Sequence, residues 1–189
     1  MDNIINMNNY FNKNDFKIVI DDFIKKHKKC QECFIDLGLD ISKKMLSELA
    51  SQCLESALKD NIKECECPKL DKEPDCYMIN KNNGDKVPWE IKCSSGEIWR
   101  GGKYSKRPGY YILVSWECDD KLNYKIFAAR LKMTEMDWVH NTPNKNGEIN
   151  YYATSYKSSI LIDKINKKEA ELLYGSIITK RKRLKIIRV

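Results

Sequence analysis

The sequence lacks any apolar run that approaches the roughly 18 residues needed to span a bilayer. Its first residues, Met1 to Asn14, are rich in asparagine and do not resemble an apolar secretory signal. It also lacks internal repeats and a domain-scale linker, and its apolar content is enough for one core. We therefore expect a single domain over residues 1–189, cytoplasmic and with no membrane partner.

Histidine is scarce, because the chain contains only His27 and His140. Two isolated imidazoles cannot supply the ligands of a histidine-metal nuclease, so that class is excluded. We predict that each histidine is a surface or capping residue.

Cysteine is plentiful, with eight residues and no secretory signal, which favours reduced thiols or a metal site over disulfides. The close pairs are Cys30 with Cys33 and Cys65 with Cys67. These four sulfurs, or His27 with three of them, could form a structural zinc site. The wide separation of the pairs and the tight Cys-x-Cys spacing favour instead free cysteines that act as small apolar side chains.

The formal charge is +7, and much of the excess is clustered in Lys180–Arg183 and in Arg100–Arg107. Clustered basic residues favour a polyanionic partner such as nucleic acid. The alternative is that the charge serves solubility alone, so the motifs must decide between the two.

Two amphipathic helices are predicted in the first third of the chain. Apolar residues recur at helical spacing from Asp15 to Lys29, with Asp15 as the cap. A second helix is predicted from about Ser42 to Lys59, behind a candidate cap at Asp40. Its apolar stripe consists of Ile41, Met45, Leu46, Leu49, Cys53, Ala57 and Leu58.

After Pro68 the pattern changes to short strands separated by turn residues. Strands are predicted at Cys76–Ile79 and Val87–Cys93, joined as a hairpin by a turn that contains Asn83-Gly84. Two central strands, rich in β-branched and aromatic residues, follow at Tyr110–Trp116 and Tyr124–Leu131.

The last third of the chain is predicted to contain a loop, strands and one short helix. Thr142–Gly147 is the loop, Tyr151–Ile162 holds one or two strands, and Lys167–Tyr174 is the helix, with a stop at Gly175. The order of elements predicts an α/β sandwich with a central mixed sheet of four or more strands flanked by helices. We divide it into an N-terminal helical segment, a core, and C-terminal strands with a short helix and a basic tail (1–41, 42–131 and 132–189).

Three charged residues are predicted to meet on the hairpin. Glu90 and Lys92 share one face of their strand because the side-chain period is two, and hairpin pairing can bring Asp75 beside them. Charges on an apolar strand are costly unless they meet each other, a metal or solvent. Hard cations such as Mg²⁺ prefer carboxylate oxygens. The alternative is a solvated ion pair on an edge strand and a simple turn at Pro74-Asp75.

Pro74-Asp75, a spacer of fourteen residues and Glu90-Ile91-Lys92 resemble the nuclease superfamily named for the pattern PD-(D/E)xK. The resemblance covers roughly Ser42 to Leu131 and implies a restriction-endonuclease-like core. It implies that Asp75 and Glu90 hold one or two Mg²⁺ ions, with the backbone carbonyl of Ile91. It also implies that Lys92 orients or deprotonates the attacking water, or stabilises the charge that develops on the phosphorus centre.

The superfamily core also has a helix before the first motif strand, often with an acidic residue that reaches the metals. Glu55 is the matching position in the second predicted helix. An exposed glutamate on an amphipathic helix is the ordinary alternative.

The segment after the motif, Cys93 to Gly109, is rich in basic, hydroxyl, glycine and aromatic residues and is predicted to be a loop that contacts DNA. A purely solvated loop would leave Trp99 and Tyr104 exposed. The candidate DNA-binding residues are Ser94, Ser95, Arg100, Lys103, Lys106 and Arg107. The run from Lys180 to Arg188 favours nucleic acid either as a strand with a basic face or as a tail along phosphates.

We therefore predict a Mg²⁺-dependent type II restriction endonuclease that cleaves double-stranded DNA as a homodimer, since a symmetric site needs two active centres. One alternative is a DNA repair or junction-resolving nuclease of the same superfamily. Another is a non-catalytic DNA-binding protein stabilised by zinc. Nothing in the sequence excludes RNA as the nucleic acid.

Overall fold

The computed structural model describes residues 7–68, 73–96, 98–100, 108–140 and 154–176. Its helices are α1 (Lys13–Asp36), α2 (Lys43–Asn61) and α3 (Ser158–Asn166). Its strands are β1 (Cys65–Glu66), β2 (Cys76–Ile79), β3 (Lys86–Ser94), β4 (Ile98–Arg100), β5 (Gly109–Cys118), β6 (Tyr124–Met133), β7 (Val139–His140), β8 (Thr154–Lys157) and β9 (Ala170–Gly175). None of the helices in this part of the chain combines the length and apolar character needed to cross a bilayer.

Helix α1 begins earlier than the periodicity indicated, because Asn12 caps it. The Asn12 side chain accepts hydrogen bonds from the backbone N–H groups of Asn14 and Asp15. The Asp15 carboxylate in turn accepts one from the backbone N–H of Asn12, which completes a capping box. We had predicted Asp15 as the cap of this helix, and that prediction is wrong. Asp15 is the third residue of the helix.

Helix α2 lies close to its predicted bounds, but its cap is Ser42 and not Asp40. The Ser42 side chain accepts a hydrogen bond from the backbone N–H of Met45 at 3.2 Å. A cap must stand directly before the first helical residue for its oxygen to reach the free N–H groups, and Asp40 lies two residues too early.

The predicted central mixed sheet is confirmed, and it has six strands in the order β1-β2-β3-β5-β6-β9. Strands β2 and β3 form the expected antiparallel hairpin, and β5 and β6 are antiparallel. Strand β3 pairs with β5 in parallel, so the segment between them crosses over from one end of the sheet to the other.

Each face of the central sheet has its own core. Helices α1 and α2 pack on one face, where Ile112 and Val114 of β5 are buried with Trp89 of β3. The opposite face holds Tyr111 and Leu113 and is covered by α3 and by a small sheet of order β4-β8-β7. Alternate residues of β5 therefore enter different cores, as the pleat of a strand requires.

The crossover segment contains a strand where the sequence predicted a loop. Residues Ile98–Arg100 form β4, which pairs with β8. Trp99 is fully buried and donates its indole N–H to the backbone carbonyl of Val114 at 2.8 Å. The apolar second face of the sheet provides a site for this indole that a solvated loop would lack.

The C-terminal elements correct two predictions. The described part of Tyr151–Ile162 contains one strand, β8, which agrees with the prediction of one or two, but Ser158 to Ile162 belong to α3 and not to a second strand. The predicted helix at Lys167–Tyr174 is wrong, since β9 pairs with β6 along the sheet edge. Residues of good helix propensity form a strand here because pairing with β6 outweighs local preference. The predicted loop at Thr142–Gly147 and the basic tail at Lys180–Arg188 lie outside the described residues.

His27 is not the surface residue that we predicted, since its side chain is fully buried. Its ring stacks on Phe23 and meets the edge of Trp116, and its Nδ1 lies 2.9 Å from the hydroxyl of Tyr124. A neutral imidazole can be buried when an aromatic cluster surrounds it and a hydroxyl bonds one nitrogen. His140 belongs to β7.

Candidate functional site

The site is built where β2 ends beside β3. The last pair of the hairpin is Cys76 opposite Trp89. One residue further, the Asp75 carboxylate replaces a strand partner, because its Oδ2 accepts the backbone N–H of Ile91 at 2.7 Å. The N–H and C=O of one residue in a strand point to the same side, so the Ile91 carbonyl faces the same open edge.

Lys92 joins the two acidic residues of the hairpin. Its Nζ lies 3.2 Å from Oδ2 of Asp75 and 3.0 Å from Oε2 of Glu90. The side chains of Lys92 and Glu90 are 21% and 20% exposed, and that of Asp75 is 31% exposed. The structure thus brings three of the sequence-predicted residues into one cluster that still reaches solvent.

The charges of the cluster are unbalanced. Burial raises the pKa of Glu90, and the charge of Asp75 raises it further, although Lys92 acts in the opposite direction. Burial alone would lower the pKa of Lys92, but attraction to Asp75 and Glu90 outweighs it, and the net pKa is raised. Two carboxylates facing one ammonium group leave an excess negative charge, which favours binding of a cation.

Glu55 lies on α2 near this cluster but does not complete it. Burial raises the pKa of Glu55, and the charge of Asp75 adds to the rise. Within the described residues, no group of three or more His, Cys, Asp or Glu side chains is arranged to hold a metal. Glu55 is therefore close enough to feel the charge of Asp75, but it does not converge with both carboxylates.

The donor set fits Mg²⁺ without a third acidic side chain. This ion keeps several waters and is commonly held by one or two carboxylates together with phosphate oxygens of a substrate. Asp75 and Glu90 supply the carboxylates, and the Ile91 carbonyl lies on the same edge. The set is poor in the nitrogen and sulfur ligands that zinc prefers.

A cleft of about 280 Å³ opens beside Glu90. The residues that line it are Glu73, Pro74, Tyr77, Pro88, Glu90, Pro108, Gly109, Tyr110 and Tyr111. Burial and the charge of Glu90 raise the pKa of Tyr111 to about 12. Sequence analysis missed Tyr77, Tyr110 and Tyr111. The β2–β3 hairpin places Tyr77 opposite Pro88, and the parallel β3–β5 pairing places Tyr110 and Tyr111 opposite Trp89 and Glu90.

The residues predicted to contact DNA fall into three groups. The Ser94 hydroxyl donates to the backbone carbonyl of Ile98 at 2.7 Å and so ties the turn before β4. Ser95 is exposed, and Arg100 ends β4. Lys103, Lys106 and Arg107 lie outside the described residues.

The four cysteines considered for zinc do not form a zinc site. All eight cysteines lie in the described part of the chain and are free. Cys65 and Cys67 are neighbours, with sulfurs 3.7 Å apart, but no group of three or more ligand side chains is arranged to hold a metal among the residues that the structure describes. Cys65, Cys67 and Cys30 instead pack in or against the apolar core, as free cysteines do, and Cys33 is exposed on α1.

Comparisons with family models, with curated proteins and with solved structures find no match to this chain.

Proposed function

We propose that this protein is a Mg²⁺-dependent endonuclease that hydrolyses phosphodiester bonds of double-stranded DNA, of the type II restriction class. The observation that carries the proposal is the convergence of Asp75, Glu90 and Lys92 at the open edge of the β2–β3 hairpin. Two carboxylates and one ammonium group in a partly exposed cluster are groups that can bind a divalent cation and act on a phosphate in phosphodiester hydrolysis.

Asp75 and Glu90 would hold the metal, with the Ile91 carbonyl as a further oxygen ligand. When bound, Mg²⁺ supplies polarisation of the phosphate and a lower pKa for a water molecule. The hydrogen bond from the Ile91 N–H fixes the rotamer of Asp75, so that one ligand is oriented before any cation arrives.

Lys92 is proposed to act on the phosphate. Its raised pKa keeps the side chain protonated when both carboxylates are charged. An ammonium group held beside the carboxylates can hydrogen-bond a phosphate oxygen and stabilise the negative charge that increases in the transition state. Contacts with both carboxylates fix its position, which reduces the motion needed for this role.

The proposed substrate is DNA because the chain carries a net charge of +7, with basic residues concentrated directly after the catalytic strand. The proposed homodimer follows from the symmetry of double-strand cleavage, which requires two active centres.

The test is digestion of unmethylated plasmid and phage DNA by the purified full chain, with Mg²⁺ or with EDTA. We expect discrete fragments that depend on Mg²⁺ and disappear in Lys92→Ala. The matched control is Lys86→Ala on the same strand, whose Nζ pairs with Glu66 at 2.6 Å outside the site. Lys86→Ala should give the same fragments as the wild type.

Other outcomes separate the alternatives. Cleavage of branched or damaged DNA alone would replace restriction by repair or junction resolution. Binding of DNA without any cleavage would overturn the enzyme assignment. Equal cleavage by wild type and Lys92→Ala would remove Lys92 from the site.

A further inference from the structure

The cleft beside Glu90 has the size and lining of a site for one planar ring system. Its volume of about 280 Å³ is just below the range of small-molecule sites, which runs from roughly 300 to 1,000 Å³. It is therefore too small for a base pair with its backbone. Three tyrosines and three prolines form most of its wall. Such flat apolar surfaces favour stacking with an aromatic ligand.

Strand pairing places Tyr77, Pro88 and Tyr111 on the same side of the sheet as Glu90 and Lys92, whereas Tyr110, which lies opposite Trp89, belongs to the other face. Tyr77 lies opposite Pro88 across the hairpin, and Glu90 lies opposite Tyr111 across the parallel pair. Opposite residues share a face, and so do alternate residues such as Pro88, Glu90 and Lys92. A ligand in the cleft would thus lie directly beside the Asp75–Glu90–Lys92 cluster.

The charges of the cleft select against a phosphate group. The ionisable acidic residues in its lining are Glu73 and Glu90, and no lysine or arginine is among the lining residues that the structure describes. The two carboxylates would repel an anionic group, whereas Lys92 beside Glu90 and Lys132, whose Nζ lies 5.9 Å from the centroid of the Tyr110 ring, would attract one to the margins of the cleft. An uncharged part of a nucleotide is therefore the better occupant of the cleft.

Glu73 provides a means of selecting among bases. Its Oε2 accepts a hydrogen bond from the Tyr77 hydroxyl at 2.5 Å, which holds the carboxylate at the rim of the cleft. A carboxylate accepts hydrogen bonds but donates none when ionised. Bases with an exocyclic amino group, such as adenine and cytosine, can donate to it, whereas thymine presents no amino group.

We propose that this cleft binds a single unstacked nucleobase of the nucleotide adjacent to the phosphate that is cleaved, with preference for bases that carry an amino group. The proposal rests on the proposed nuclease function, because the neighbouring site is what supplies the phosphate. Tyr77 would stack on the base, and Glu73 would accept a hydrogen bond from its amino group. Enzymes that extrude bases commonly hold them between aromatic or apolar side chains in this manner.

The test is titration of the full chain with adenosine, cytidine, thymidine and ribose 5-phosphate in EDTA, followed by amide chemical shifts in NMR spectra. Nucleosides carry no phosphate, so their binding does not depend on the metal or on catalysis. We expect adenosine and cytidine to bind more tightly than thymidine, and ribose 5-phosphate to leave the cleft amides unchanged.

Two variants test the named contacts. Tyr77→Ala should weaken adenosine binding about tenfold, because a base loses its stacking partner. Glu73→Gln should bring the affinity for adenosine toward that for thymidine, and thymidine binding should not change. The matched control is Glu48→Gln, an exposed glutamate of α2 that should leave every affinity unchanged.

The outcomes separate this proposal from the nuclease assignment. DNA cleavage by a protein that binds no nucleoside, or in which Tyr77→Ala binds adenosine as the wild type does, would overturn the base-binding cleft alone. Displacement of adenosine by ribose 5-phosphate would also overturn it. The expected variant effects in a protein that cleaves no DNA would uphold the cleft and overturn the nuclease.

Discussion

Two cations of the central sheet, Arg130 and Lys92, have opposite surroundings. Arg130 of β6 is fully buried, and its guanidinium makes five hydrogen bonds, two of them to Oε2 of Glu171. The other three go to the Asn8 side chain and to the backbone carbonyls of Met7 and Phe11. Lys92 of β3 faces two carboxylates at the open edge of a hairpin and remains partly exposed.

The two groups differ in whether every hydrogen-bond donor of the cation is used and whether its charge is balanced by its partners. Five hydrogen bonds engage all the donors that an arginine has, so Arg130 has no capacity left for a ligand. Its role is to join the residues before α1 to β6 and β9. The Lys92 cluster has an excess negative charge and is open to solvent. A charged group within a sheet is therefore a candidate for function when its partners leave some of its hydrogen-bonding capacity or charge unsatisfied.

The largest expected effect comes from removing the lysine. Lys92→Met should reduce the cleavage rate by about 10²- to 10⁴-fold, the range that positioned proton-transfer and charge-stabilising groups supply. Unfolding in urea should show a smaller loss of stability than for Arg130→Met, because Asp75 and Glu90 are partly solvated.

Lys26 provides the matched control for Lys92→Met. Its Nζ also lies between two carboxylates, at 2.6 Å from Asp22 and 2.7 Å from Asp60. The Asp60 side chain is 56% exposed, and this group lies on the helices, away from the sheet edge. Lys26→Met should leave cleavage unchanged. A similar loss of cleavage in Lys26→Met and Lys92→Met would contradict the assignment of function to Lys92 alone of these two lysines.

The second effect is on stability. Arg130→Met should lower the free energy of unfolding by about 3–5 kcal/mol, since Glu171, the buried carbonyl of Phe11 and the partly buried carbonyl of Met7 lose their donor. The measurement is equilibrium unfolding in urea, with Lys26→Met as the reference for a surface ion pair, which should cost at most about 1 kcal/mol. Equal destabilisation by the two variants would show that Arg130 has no special role.

The third effect is on the pH dependence of stability, and it concerns His27, a buried group that is neutral at pH 7. Burial lowers the pKa of His27 to about 4, from 6.5 in the unfolded chain. The unfolded state therefore binds more protons between these values, and stability should fall as the pH decreases from about 6.5 to 4, by roughly 3 kcal/mol at most. His27→Gln should flatten this part of the curve of unfolding free energy against pH. An unchanged curve would assign the acid sensitivity to other groups.

The smallest effect concerns Glu55. Burial and the charge of Asp75 both disfavour its ionised form, so Glu55→Gln should raise the Tm at neutral pH in EDTA by about 2 °C or less. Glu48→Gln on the same helix is the control and should leave the Tm unchanged. If Glu55 is a metal ligand, the variant should also lose part of the Tm increase that Mg²⁺ gives to the wild type.

The hairpin and the central strands could be predicted because their signals are local. The alternation from Val87 to Cys93 and the turn at Asn83-Gly84 set the β2–β3 pairing, and with it the meeting of Glu90, Lys92 and Asp75. A hairpin involves neighbouring segments, so sequence spacing is enough to define its register.

The remaining features depend on contacts between distant segments. Residues Ala170–Gly175 form a strand only because the edge of β6 is available. Likewise, His27 is buried only because Tyr124 and Trp116 of the sheet reach α1. The cleft depends on the parallel register of β3 with β5, which spacing along the chain does not reveal.

The backbone N–H of Ile91 donates its hydrogen bond to the side chain of Asp75 and not to the backbone of a neighbouring strand. Asp75 precedes β2, so the rotamer of its carboxylate determines whether the Ile91 amide proton is protected from exchange with solvent. Exchange of this proton with deuterium can then proceed by rotation of Asp75 without separation of the strands. The Ile91 amide therefore serves as a built-in reporter whose exchange rate measures how often the first carboxylate of the site is out of position.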